Sequence, residues 1–123
     1  MRLIPLLLLL FCTLAGADEA RFDKLTAQQV YASLSQLVLV DVRSPEEFAE
    51  GHVPGAVNLP HDAVTDYLHL LQGQQQRHLV LYCRSGRRAG LAAAQLQQQG
   101  FQQISLLEGD MPGWQEQGFQ VQK

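Results

Sequence analysis

Short apolar runs alternate along this chain with stretches of helical periodicity, and glycines, prolines and capping residues punctuate them. Leu37 to Val42 is continuously apolar except for Asp41, a pattern that predicts a strand buried on both faces. His78 to Cys83 and Gln103 to Leu107 are read as further strands, and Ala56 to Leu59 as a brief one. Between them lie the helical signals. Thr26-Ala27-Gln28-Gln29 forms a capping box, after which Ala27, Val30, Tyr31 and Leu34 share one helix face. Ser44-Pro45-Glu46-Glu47 starts a second helix with Pro45 at its first position, and Gly51 ends it. Val64, Tyr67, Leu68 and Leu71 predict a longer helix. Arg87 to Gln99 predicts another, closed by Gly100, with Ala89, Ala92, Ala93 and Leu96 facing the core. Trp114 falls in a last short helix as a core anchor, before Phe119 and Val121. Strands alternating with helices imply an α/β fold class with a parallel sheet. There is no internal repeat and no linker, so one domain is expected.

The first residues follow a different pattern. Met1-Arg2 is followed by the almost wholly apolar Leu3 to Leu14, then Ala15-Gly16-Ala17 and the polar Asp18-Glu19. That order is the layout of a secretory signal peptide. The apolar core falls short of the ~18 residues a membrane span requires, and Phe11 disfavours a lipid anchor on Cys12. Cleavage is expected after Ala17, leaving residues 18–123 as the working domain, exported to a periplasm or an equivalent compartment. Losing Arg2 moves the net charge from −3 to −4. A mildly acidic body gives no reason to expect nucleic acid or an anionic membrane as partner. The glutamine runs at 74–76 and 97–99 are read as solvated filler.

Of the two cysteines, Cys12 lies in the leader, so Cys83 is the sole cysteine of the expected mature chain. Exported proteins usually use cysteines in disulfide pairs; a single one is either buried and inert or free and reactive. Its neighbours favour the second reading. Tyr82-Cys83-Arg84-Ser85-Gly86-Arg87-Arg88 places Cys83 at the carboxyl end of a strand, just before a helix. Ligands bind in the crevice beyond such strand ends. Ser85 and Gly86 let the backbone curl into a nest whose N–H groups, with a helix N-terminus, suit an anion. Arg84, Arg87 and Arg88 add positive charge. The same surroundings are expected to lower the thiol pKa from its ordinary ~8.5 and supply a thiolate nucleophile. A cysteine-dependent phosphatase would need an arginine six residues after Cys83, where this chain has Ala89. The tighter loop fits a thiolate carrying one extra sulfur.

Asp41 and Arg43 follow the first buried strand. Either they support the loop and help bind an anion, or they form a buried ion pair that holds the strand end, the preferred reading. His52, His61, His69 and His78 are not needed as a base if Cys83 is already ionised; His52 is read as bracing the Pro54-Gly55 turn and the others as surface residues. No ligand spacing for a metal occurs, and no cofactor is implied.

The chain resembles the rhodanese family of sulfurtransferases, in its small single-domain, exported form. Four segments carry the likeness: Leu39 to Phe48, Glu50 to Pro60, Tyr82 to Ala89, and Leu107-Glu108-Gly109 with Trp114 and Gly118. The resemblance implies a five-stranded parallel sheet with helices on both faces. It also implies double displacement: Cys83 takes a sulfur from thiosulfate or a similar small anionic donor, forms a persulfide and passes the sulfur to cyanide or a thiol. Backbone amides of Arg84, Ser85, Gly86, Arg87 and Arg88 would hold that sulfur, and the family uses Asp41 and Arg43 structurally. A monomer without stable membrane association is expected. Asp110 departs from the pattern, standing where many members have a second glycine. The alternative from another class is a non-catalytic module in which Cys83 carries sulfur or senses oxidant.

Overall fold

A computed structural model describes residues 21–123; the signal-peptide reading of residues 1–17 lies outside them. Five strands form one parallel sheet in the order β1-β5-β4-β2-β3. They are β1 (Lys24–Leu25), β2 (Val38–Asp41), β3 (Val57–Asn58), β4 (His78–Tyr82) and β5 (Gln103–Leu107). The helices are α1 (Ala27–Ala32), α2 (Pro45–Glu50), α3 (Val64–Tyr67), α4 (Arg87–Gln98) and α5 (Asp110–Glu116).

Period-two alternation sorts the strand side chains onto two cores. Val40, Leu79, Leu81, Cys83 and Leu106 pack with Val64 of α3 and with Ala89, Ala92, Ala93 and Leu96 of α4. On the opposite face, Leu39, Val80, Tyr82 and Leu107 pack with Ala27 and Val30 of α1 and with Met111 and Trp114 of α5. Trp114 is fully buried and its indole N–H donates to the Gln120 carbonyl at 2.9 Å. This is the single α/β domain, with helices on both faces, that the sequence implied.

Three local expectations change. The helix predicted around Val64 to Leu71 is one α-turn followed by a 3-10 segment, Leu68–Leu71; Ala63 offers no side-chain cap, so nothing prolongs it. Tyr31 points outward, 53% exposed, and stacks on Phe119 rather than entering the core. His52 does not brace the Pro54-Gly55 turn: its Nδ1 lies 2.9 Å from the Phe48 carbonyl at the end of α2, and its ring stacks on Phe48. Gly55 instead donates to the Gln122 side chain at 2.9 Å.

From the adjacent strands β2 and β4 the chain proceeds in opposite directions, outward to β3 and the other way to β5. A crevice opens at the carboxyl ends of such a pair. Here it is a cleft of about 330 Å³, lined by Arg43, Glu47, Glu50, Arg84, Met111 and Gln115 among others.

Candidate active site

Cys83 follows the last residue of β4, so the strand's alternation aims its side chain toward α4, where it is fully buried. Gly86 has φ +90°, a left-handed conformation that costs glycine little and turns the loop sharply. Its N–H then points back at Cys83 Sγ, 3.0 Å away. The backbone amides of Ser85 and Ala89 also favour the charged form of the sulfur. No side chain caps α4, so its first-turn donors stay available to the loop interior. The result is a nest of amides closed on a sulfur atom.

The thiol itself departs from the sequence expectation. Burial pushes the Cys83 pKa up, and the nearby Asp110 carboxylate adds to that; the amides of Ala89, Ser85 and Gly86 pull it down by less. Desolvation outweighs the nest because the sulfur has no exposed surface. In the resting loop the Cys83 sulfur is shielded from solvent.

The arginines separate into two kinds. Arg88, half-buried, forms a two-point ion pair with Glu47, at 2.8 and 3.1 Å. Arg84 and Arg87 are exposed and have no ion-pair partner among the described residues. Glu47 also accepts from the Ser44 N–H at 3.0 Å as the third residue of the α2 capping box. Sequence reading placed Glu47 only in a helix start; its partner lies 41 residues away, which local pattern does not reveal.

The Arg88 bond holds the Glu47 carboxyl near a pKa of about 2, with burial opposing and the Ser44 N–H assisting. A depressed carboxyl adds stability that is complete above its ordinary pKa near 4.5 and fades as pH falls toward 2. Glu47→Gln is therefore expected to lower stability by about 1 kcal/mol at pH 7. That deficit should shrink below pH 4.5 and vanish near pH 2, read from urea midpoints of both proteins across this range.

Asp41 and Arg43 form a buried ion pair at 2.7 Å. Asp41 also accepts the Arg43 backbone N–H, and Arg43 donates to the Gly51 carbonyl at 2.7 Å. The Arg43 guanidinium stands over the Tyr82 ring, whose hydroxyl accepts the Val53 N–H at 3.0 Å. The pair thus joins the end of β2 to the segment after α2, and Arg43 borders the cleft beside Arg84. Among the described residues no group of three or more metal-ligating side chains occurs, and no helix is long and apolar enough to cross a membrane.

Comparison with known proteins agrees with this geometry. Residues 26–117 match the family described as Rhodanese-like domain. The chain is 33% identical over 99 residues to a sulfurtransferase of Allochromatium vinosum, covering 80% of this chain and 91% of that one. It is 32% identical over 94 residues to a thiosulfate sulfurtransferase of Pseudomonas syringae, covering 76% and 87%. The crystal structure of a rhodanese-related protein from Thermoplasma volcanium superimposes with a TM-score of 0.73 at 25% identity, covering 82% of this chain and 98% of that chain. These likenesses support sulfur transfer as the general activity.

Proposed function

The chain belongs to the rhodanese-like domain family, and from that premise we propose that it is an exported sulfurtransferase carrying sulfane sulfur on Cys83 as a persulfide. The observation that carries this reading is the Gly86 N–H aimed at one buried sulfur, with the Ser85 and Ala89 amides also favouring negative charge there. A phosphate cradle would instead leave room for four oxygens and supply an arginine at position 89, which is alanine.

Thiosulfate, or a small anion like it, is the donor. Arg84 and Arg87 draw it in as exposed cations, while Arg88, tied to Glu47, keeps the start of α4 in place. Cys83 first loses its proton to solvent, and the resulting thiolate attacks the outer sulfur of thiosulfate. The sulfur–sulfur bond of the donor breaks, its electron pair leaves on sulfite, and Cys83 keeps one added sulfur as a persulfide anion. The amides of Ser85, Gly86 and Ala89 are aimed where that negative charge develops. A thiolate or cyanide acceptor then attacks the outer sulfur and returns the Cys83 thiolate. Charge balances in each half.

Intact mass spectrometry tests this directly. After thiosulfate treatment, the mature chain should gain one sulfur, mapped to Cys83, with one equivalent of sulfite released. Added thiol or cyanide should remove it. An unmodified chain overturns the reading; a persulfide that no acceptor discharges replaces it with a sulfur-carrying module.

A further inference from the structure

The cleft beside the Cys83 loop has two walls that come from distant parts of the chain. Glu47, Glu50 and Gly51, in α2 and just after it, line one side, and Met111, Pro112 and Gln115 of α5 line the other. Both walls lie outside the five-stranded sheet, so its ladders do not fix the distance between them.

Residues 119–122 run from one wall to the other. Beyond α5, Phe119 stacks on Tyr31 with ring centres 4.3 Å apart and lies 5.0 Å from the Trp114 ring. The Gln120 carbonyl accepts the Trp114 indole N–H at 2.9 Å, which fastens this end to α5. Two residues on, Gln122 forms an antiparallel bridge with His52, donating to its carbonyl and accepting its N–H, both at 2.9 Å. The Gln122 side-chain carbonyl also accepts the Gly55 N–H at 2.9 Å. Between these anchors Val121 packs on Gly51. A Cβ on Gly51 would lie 2.8 Å from Val121 Cγ1, so glycine lets the segment close directly on the cleft wall. Two extended residues reach at most about 7 Å, which leaves little slack between the anchors. Phe119 and Gln120 already cover Trp114; the bonds of Gln122 fall beyond that core, on the segment that carries Gly51.

We propose that residues 119–122 are a strap that sets the width of this cleft, with Gln122 as the positioning residue that fastens it, so that the size of a reagent decides its access to Cys83. Under the sulfur-transfer reading, the strap limits the acceptors that reach the Cys83 persulfide to small ones. That consequence rests on the proposed function; the strap itself does not.

The experiment compares alkylation by N-methylmaleimide and N-phenylmaleimide in the full chain, in a chain stopped after Gln120 and in Gln122→Ala, with the modified Cys83 located by peptide mass spectrometry. Both reagents consume the same thiolate, so the ratio of their rates cancels its degree of ionisation and reports size. In the unaltered chain the phenyl reagent should lag at least about fivefold behind its ratio on free cysteine, one net hydrogen bond being worth about that factor in an opening equilibrium. Stopping after Gln120 removes three such bonds and leaves the Trp114 bond in place, so most of the lag should disappear. Gln122→Ala keeps both backbone bonds and should recover less. A wild-type ratio equal to that of free cysteine overturns the proposal, a result that needs no variant to fold. So does an unmoved ratio in either variant that circular dichroism shows folded, including when both reagents speed up equally, as general loosening would make them. No sulfur donor enters the assay. A chain inert to thiosulfate therefore defeats the sulfur-transfer reading and leaves this result standing, and a chain that transfers sulfur with an unmoved ratio does the reverse.

Discussion

Cys83→Ser is expected to remove sulfur transfer, lowering kcat/KM by at least about a thousandfold. Serine is close to cysteine in size, and its oxygen can accept the Gly86 N–H that now points at sulfur from 3.0 Å. The fold should survive with a stability change of about 1 kcal/mol, because that amide keeps a partner. Chemistry is what fails. A serine hydroxyl is not ionised at neutral pH, and an oxygen cannot form the sulfur–sulfur bond that the second half-reaction must break. Sulfite release from thiosulfate, followed together with the circular dichroism of the folded variant, checks both parts. Turnover within tenfold of wild type in a folded Cys83→Ser protein would sink the persulfide route.

The second large effect falls on stability. Asp41 has no exposed surface, and Arg43 beside it is 8% exposed. Asp41→Ala strands the Arg43 cation in the core with the Gly51 carbonyl as its remaining hydrogen-bond partner. Breaking a buried pair on one side costs about 3–5 kcal/mol, a large part of the 5–15 kcal/mol that holds a typical domain. Removing both charges is a different matter, since apolar replacements of similar volume can be neutral. The double variant Asp41→Leu with Arg43→Met should therefore recover much of the loss. Urea unfolding of the single and double variants measures it. An Asp41→Ala protein within 1 kcal/mol of wild type would show that the pair does not hold the end of β2.

Much of the fold was legible because its signals are local. β5 spans Gln103–Leu107, the stretch its apolar run predicted, and α4 buries the four residues its periodicity named. The capping box at Thr26 with Gln29 forms as read, and the helix start at Ser44 with Pro45 forms too, the structure adding a second box between Ser44 and Glu47. The strand that escaped notice is β1, two residues long, exposed at Lys24 and paired, among the described residues, to β5 alone. Too short to show a period, it exists because the partner strand offers an edge. Tyr31 and Tyr67 share helix faces with apolar residues by spacing, yet both are exposed. Periodicity gives the angle of a side chain about its helix, whereas burial depends on what packs there.

The candidate site divides in the same way. Sequence alone located the Cys83 loop and its arginine-rich rim, since Cys83 to Arg88 are contiguous and their geometry follows from a strand end, a glycine and a helix start. Only the tertiary structure decided the electrostatic balance within that loop. The cations that looked ready to ionise Cys83 are partly committed or exposed: Arg88 to Glu47 of a distant helix, Arg84 and Arg87 to solvent. The carboxylate that opposes ionisation arrives from 27 residues further along the chain. Charge counts along a sequence carry neither burial nor distance, and a buried thiol's ionisation depends on both.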